Sequence, residues 1–493
     1  MSGEGTPTVR SVAVLIVSWN GRKHLELLLP ELEAQQPPAG VRHEVVVLDN
    51  GSYDETLEWL AAEHPWVRTV RSDVNLGFCG GNDHLARQVD ADALVLLNND
   101  TRPADGWLAR LVEALAAAPA DVAAVSGRIV DWQGERLDFG RGLMTFDGHA
   151  FQVGFGRRLA QADDAIPEPG EELLFACGGN MIVRREAYLR LGGFDESYFA
   201  YLEDVDLGWR LWSAGERVLA APNAVVHHRS MATSRLLGDA NRGFLFERNA
   251  FLTVAGNADD ELWPRLASAV WATMVHRAQT LAVQNNPGGE LLTLDPYAGL
   301  VANTASPRTL VSDGADAAES TAADLASIDT EDRVPAGIVT PAGRRRGRGR
   351  HREPEIPRTS LGEKWRGYGP RGFVRRGLRK AVRALLPRFV LEDLELSTRL
   401  VDPRTFAHQR ALTWVVTHLE IVHAKRARTE RLRLRPDREI LARFPLGIVP
   451  TYPGDKAFFA SDAFNALLPD DLVPFRRRRL DEILPELGRD EAG

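Results

Sequence analysis

Val12-Ala-Val-Leu-Ile-Val-Ser-Trp-Asn-Gly21 is a short apolar run, rich in β-branched residues and closed by a turn dipeptide. A run of that length bounded by a turn signal reads as a strand buried on both faces. Arg22 to Gln35 follows with helical spacing, and then the pattern repeats. Glu44 to Leu48 is a second strand ending in Asp49-Asn50-Gly51-Ser52, a short helix starts near Asp54, and Val67 to Val70 is a third strand. The glycine-rich turn Asn75-Leu-Gly-Phe-Cys-Gly-Gly-Asn82 leads into another helix, and Ala93 to Leu97 is a fourth strand stopped by Asn98-Asn99-Asp100. Strands alternating with helices predict an α/β fold with a mostly parallel sheet covered on both faces.

Polar residues gather just beyond these strands: Ser18 and Asn20, Asp49 and Ser52, then Asn98 and Asp100. Ligands of open α/β sheets bind outside the carboxyl ends of the strands, so these three ends predict one shared cleft. Asp100 there can hold Mg²⁺ or Mn²⁺ against a phosphate, because hard cations prefer oxygen ligands. The competing reading has it cap the next helix. Asp49 can accept from the imide N–H of a uracil or thymine ring, or from backbone amides of its own Asn-Gly turn. The glycine-rich turn lacks the spacing of a dinucleotide fingerprint and the Gly-Lys-Ser/Thr ending of a P-loop.

From Val122 to His228 the pattern is mixed, with a strand near Val122 to Val130, a hairpin region to Phe155 and a last strand from Arg217 to His228. Before that last strand lies Tyr201-Leu-Glu-Asp-Val-Asp-Leu-Gly-Trp-Arg-Leu211, whose apolar positions have helical spacing. Its three carboxylates need compensation by a divalent cation, an arginine or a proton. Arg210 can pair with Asp206 across one turn, which leaves Glu203 and Asp204 for other work. His227 and His228 end the last strand, where adjacent residues point to opposite faces, so at most one enters the cleft. Gly243 to Thr280 is expected to be helical, with Trp263 and Trp271 on an apolar face.

The 493 residues allow two or more domains, 44% hydrophobic content can fill a sizeable core, and the net charge of −8 argues against a nucleic-acid binder. Cys79 and Cys177 support neither a disulfide framework nor a zinc site, and their shared Cys-Gly-Gly-Asn reads as coincidence. No apolar run reaches the roughly 20 residues of a spanning helix, and the N-terminus has no signal-peptide core. A cytoplasmic protein is expected, with peripheral contact at the inner face of the plasma membrane as an option. That option rests on Phe373 to Leu386, a basic amphipathic helix able to lie on an anionic bilayer or to pack on the rest of the chain.

These pieces resemble the family-two inverting glycosyltransferases, in particular their rhamnosyltransferase-like branch. The resemblance runs from about Val12 to Ser230 in order: Val-Ser-Trp-Asn20, Val-Leu-Asp-Asn-Gly-Ser52, Asn-Leu-Gly-Phe78, Leu-Leu-Asn-Asn-Asp100, Gly-Gly-Phe-Asp195, Tyr-Leu-Glu-Asp-Val-Asp-Leu207 and a Pro-x-Ala-Val-Val strand ending in histidine. It implies a GT-A fold, a Rossmann-like nucleotide-sugar-binding domain with a mostly parallel sheet. By the resemblance Asp49 contacts the nucleotide base, with Ser18, Asn20, Ser52, Asn75, Asn98 and Asn99 around the nucleotide sugar. The family's Asp-x-Asp metal motif stands here as Asn98-Asn99-Asp100, so Asp100 carries most of the Mg²⁺ or Mn²⁺ binding, with His228 as second ligand and His227 as the fallback. Asp204 corresponds to the catalytic base with Glu203 beside it, whose charge is expected to raise the pKa of Asp204. Arg248-Asn249 resembles a feature of the acceptor side.

On this basis the chain divides into a disordered N-terminus at 1–10, a GT-A domain at 11–235 and a helical extension at 236–302. A disordered linker at 303–359 and a helical C-terminal region at 360–493 follow. The partners expected are a nucleoside-diphosphate sugar, dTDP-rhamnose-like or a UDP-sugar, and a glycan or lipid-linked acceptor. No nucleic acid is expected, despite basic runs at Arg344 to Arg352 and Arg476 to Arg479. Two other readings stay open: a sugar nucleotidyltransferase, and a non-catalytic sugar-nucleotide or polysaccharide-binding protein on the same scaffold.

Overall fold

In the computed structural model, which describes residues 9–229, 239–285 and 402–484, the opening apolar run becomes the centre of the sheet. β1 (Ser11–Ser18) pairs in parallel with β2 (Arg42–Asn50) on one side and β4 (Ala93–Leu97) on the other, and β2 pairs in parallel with β3 (Arg68–Ser72). Between these strands run α1 (Arg22–Glu33), α2 (Thr56–Glu63) and α3 (Gly77–Gln88). Val14, Leu15, Ile16, Val46, Val47, Val95 and Leu96 are fully buried, which is why these strands read as continuous apolar runs and not as alternating ones.

Beyond β4 the sheet becomes mixed. The chain continues through β5 (Thr101–Pro103), α4 (Trp107–Ala117), β6 (Val122–Asp131), β7 (Leu137–Phe139) and the hairpin of β8 (Gly142–Met144) with β9 (Ala150–Gln152). It then forms β10 (Asn180–Arg184), α5 (Arg185–Arg190), α6 (Glu203–Ser213) and β11 (Arg217–His228). The order across the sheet is β3-β2-β1-β4-β10-β6-β11-β5, with β7 on β6. β10 runs antiparallel to both β4 and β6, whereas β6 and β11 are parallel. An apolar run reads the same in either direction, so the parallel half was legible in its helical crossovers and the reversal at β10 was not.

The glycine-rich stretch is mostly helix. α3 starts at Gly77, and a Cβ on Gly81 would come within 2.8 Å of a Val17 methyl. These glycines let α3 lie directly on β1 and β2. The helix expected from Gly243 to Thr280 is two, α7 (Asp239–Asn257) and α8 (Trp263–Asn285). They are separated where the Asp259 carboxylate accepts the amides of Glu261 (3.1 Å) and Leu262 (2.7 Å) and so caps α8.

Residues 402–484 form α9 (Pro403–Thr417), α10 (Leu419–Leu432), α11 (Asp437–Arg443) and the parallel pair β12 (Leu446–Ile448) and β13 (Phe475–Arg477), with short helices beyond β12. Ala411, Val415, Val422, Ile440, Leu441 and Leu446 join the same apolar core as the strands. Each fully buried Leu or Ile contributes about 1.5–3 kcal/mol, so core packing joins this region to the sheet. The expected linker at 303–359, the basic run at 344–352 and the amphipathic helix at 373–386 lie outside the described residues. Among the described residues no helix is long and apolar enough to cross a membrane.

Candidate active site

The carboxyl ends of β1, β2 and β4 bring the expected polar residues together. Asn99 Nδ2 donates to Ser18 Oγ at 3.2 Å, and Gly21 leaves room for that pair, since a Cβ there would lie 2.4 Å from Ser18 Oγ. The Asn20 amide donates to Ser52 Oγ at 2.8 Å, and the Tyr53 amide donates to Asn20 Oδ1 at 3.0 Å. Asn20 takes a positive φ of 50°, a conformation asparagine tolerates better than most residues. Asp49 is buried and accepts the Ser52 amide at 3.1 Å, so one carboxylate oxygen shapes the turn. Asn50, overlooked in the sequence, bonds Asn75 Oδ1 (3.0 Å) and the Gly77 carbonyl (3.1 Å) and accepts from the Leu76 amide (2.9 Å). It ties the end of β2 to Asn75.

Asp100 meets a histidine. His228 Nε2 is 3.3 Å from Asp100 Oδ1, and His228 Nδ1 is 2.9 Å from Asp138 Oδ2. The alternation along β11 turns His227 away, towards Arg102 (3.4 Å). Burial alone would raise the Asp100 pKa, but the contact with His228 holds it below the ordinary value. Burial likewise opposes the charged imidazole of His228, yet Asp100 and Asp138 outweigh it and push the pKa up to about 10. Asp138 was also overlooked, because one aspartate in a three-residue strand carries no local signal.

Asp204 and Glu203 open α6. Asp204 Oδ2 accepts the Gly178 amide at 3.0 Å, and the Asn98 amide donates to the Gly179 carbonyl at 3.3 Å. The turn Cys177-Gly-Gly-Asn180 therefore joins the end of β4 to the start of α6. The matching Cys79-Gly-Gly-Asn82 lies inside α3, so the repeat is coincidental although each copy has a structural use. Glu203 is buried while Asp204 is only half-buried. Burial raises the pKa of both; the Gly178 and Val205 amides temper that of Asp204, whereas the charge of Asp204 adds to that of Glu203. Burial is the leading cause in both. Asp206 pairs with Arg210 at 2.6 Å, as the one-turn spacing predicts.

Arg248 and Asn249 are buried and turned to the loop ahead of α6. Asn249 Nδ2 donates to the carbonyls of Tyr198 (3.1 Å), Ala200 (2.8 Å) and Tyr201 (2.8 Å), and Arg248 donates to those of Ser197 (2.7 Å) and Tyr198 (3.0 Å). The loop needs such support. Phe199, Tyr201 and Leu202 have φ of 63°, 74° and 64°, and the Ala200 amide bonds the Tyr198 carbonyl at 2.7 Å across Phe199, a γ-turn of the strained hand. The Phe199 carbonyl accepts the Phe78 (2.8 Å) and Cys79 (3.1 Å) amides at the start of α3.

As a cation site, Asp100 supplies one hard oxygen and His228, once the incoming ion displaces its proton, one borderline nitrogen on a common side, with Asp138 fixing the imidazole. Among the described residues no group of three or more His, Cys, Asp or Glu is gathered to hold a metal. The pair suits an ion whose remaining positions are filled by phosphates and water, the habit of Mg²⁺.

The family model "Glycosyl transferase family 2" matches residues 13–192 and so ends ahead of Asp204 and His228. The chain is 31% identical to an N-acetylglucosaminyl-diphospho-decaprenol L-rhamnosyltransferase of Mycobacterium tuberculosis, over 45% of this chain and 77% of the relative. It is 28% identical to the succinoglycan biosynthesis protein ExoA of Rhizobium meliloti, over 43% of this chain and 61% of that protein. Among solved structures it is similar to GalNAc-T7 with UDP, GalNAc and Mn²⁺, at a TM-score of 0.43 and 18% identity, over 58% of this chain and 54% of the other.

Proposed function

Since the chain belongs to glycosyl transferase family 2, with GT-A architecture and relatives in cell-envelope glycan biosynthesis, we propose that it is an inverting, cation-assisted hexosyltransferase. The donor is a nucleoside-diphosphate sugar of the dTDP-rhamnose or UDP-sugar kind, and the acceptor is a hydroxyl of a cell-envelope glycan or lipid-linked saccharide. The observation that carries this reading is the half-buried Asp204 carboxylate, held by the Gly178 amide in the turn that also binds the end of β4.

In this mechanism Asp204 takes the proton of the acceptor hydroxyl as its oxygen forms a bond to the anomeric carbon. The bond from that carbon to the diphosphate oxygen breaks on the opposite face, and the nucleoside diphosphate leaves with the electron pair. One displacement inverts the centre, and a base so placed contributes roughly 10²–10⁴ in rate. Asp49, with Ser18, Asn20, Ser52 and Asn75, binds the nucleotide, while Asn98 and Asn99 line the sugar side. Asp100 and His228 would hold the cation, which when bound neutralises charge on the departing diphosphate. Glu203, whose pKa burial pushes up, lies beside Asp204. Arg248 and Asn249 serve the acceptor side by shaping the Ser197–Tyr201 loop.

Incubation with dTDP-rhamnose, UDP-galactofuranose and UDP- or GDP-hexoses, with and without Mn²⁺ and a polyprenyl-diphosphate-linked N-acetylglucosamine, tests the reading. Nucleoside diphosphate released with one donor supports it. Pyrophosphate would mark a nucleotidyltransferase, and tight donor binding without turnover a binding protein.

A further inference from the structure

The loop that delivers Asp204 carries three non-glycine residues at positive φ, conformations that persist only where surroundings impose them. Arg248 and Asn249 hold its carbonyls. Its two ends are held by a residue from far along the chain. Lys425, on α10, places Nζ 3.0 Å from Asp195 Oδ2 and 2.6 Å from Asp206 Oδ1. Asp195 begins the turn before the loop, accepting the Ser197 amide (3.0 Å) and hydroxyl (2.6 Å), and Asp206 lies in the first turn of α6.

The fold makes room for this reach. Gly256 on α7 lies against the lysine stem, and a Cβ there would come within 2.4 Å of its Cδ. Nζ also sits 5.0 Å from the centre of the Tyr198 ring. A second link parallels the first: Thr429 Oγ1 donates to Asn257 Oδ1 (3.3 Å), and Asn257 Nδ2 donates to Asp206 Oδ1 (2.7 Å). Farther along α6, residues just after α10 cap its last carbonyls, with the Leu434 and Arg435 amides bonding the Ser213 carbonyl at 2.7 and 2.9 Å.

We propose that Lys425 is a positioning residue for the transfer step: as a strut between Asp195 and Asp206 it fixes the span of the Phe199–Leu202 loop and so the place of Asp204 at the mouth of the cleft. The proposal rests on Asp204 being the base. It gives α10 a part in placing the base.

The test uses the full chain and compares Lys425→Met, Lys425→Arg and Asp195→Asn with Asp204→Asn. Nucleoside-diphosphate release gives turnover, and titration with dTDP or UDP in Mn²⁺ gives nucleotide affinity. Lys425→Met is expected to lower kcat by about 10–100-fold while nucleotide affinity stays near wild type, because misplacing a reacting group by an ångström has that cost. Lys425→Arg should recover most of the turnover. Asp195→Asn, which keeps the lysine and its partner Asp206, should show the same split more weakly, and it serves where the methionine variant does not fold. Wild-type turnover in folded Lys425→Met or in Asp195→Asn, or a parallel loss of nucleotide affinity, overturns the proposal. An inactive Asp204→Asn beside fully active Lys425→Met would remove the strut alone; an active Asp204→Asn would remove the base assignment beneath it.

Discussion

The Nε2 of His228 lies 3.3 Å from Asp100 Oδ1, and the other ring nitrogen is 2.9 Å from Asp138. The end of the last long strand thus meets the end of β4, with an edge strand orienting the imidazole. Asp138→Asn keeps shape but loses the charge that aligns the ring. It should raise the Mn²⁺ concentration for half-maximal nucleoside-diphosphate release by about 10–100-fold, the usual cost of such an outer partner. His227→Ala should leave that concentration unchanged, because its ring faces Arg102.

Asn249→Asp preserves the side-chain shape and abolishes the donor shared by the carbonyls of Tyr198, Ala200 and Tyr201, of which that of Tyr198 keeps Arg248 and the Ala200 amide. Buried acceptors left without partners cost roughly 1–3 kcal/mol each. A fall of about 2–4 kcal/mol in unfolding free energy is expected, read as a lower denaturation midpoint, and Asn249→Ala should match it.

How far such residues could be read in advance depended on whether their signal was local. The strand ends at Ser18, Asp49 and Asp100 were visible because turn residues follow apolar runs directly. The pairing of Asp206 with Arg210 was visible because helix geometry fixes it. Asp138, Gly178 and Lys425 were invisible, since each matters only through a partner brought up by sheet pairing or core packing. The rise at Glu203 and Asp204 was invisible because burial, which adjacency does not report, leads it in both.

A buried cluster away from the cleft sets a pH limit on stability. His149 Nε2 is 3.1 Å from Glu247 and its Nδ1 is 3.2 Å from Asp147, while Arg277 bridges Asp147 (2.6 Å) and Asp455 (3.0 Å). Burial opposes the charged imidazole, but Glu247 and Asp147 raise its pKa from 6.5 to about 10. A folded-state value above the unfolded one gives stability that is present in full below pH 6.5 and is lost as pH rises towards 10. Wild-type protein should lose on the order of a few kcal/mol over that interval. His149→Gln should melt with a flatter pH dependence there, as differential scanning calorimetry at pH 6 to 10 would record.

The role of Asp204 is the centre of this account, and Asp204→Asn tests it most directly. Nucleoside-diphosphate release in the presence of donor, acceptor and Mn²⁺ should fall by about 10²–10⁴-fold, with dTDP or UDP affinity unchanged. Release at a near wild-type rate would contradict the assignment of Asp204 as the base.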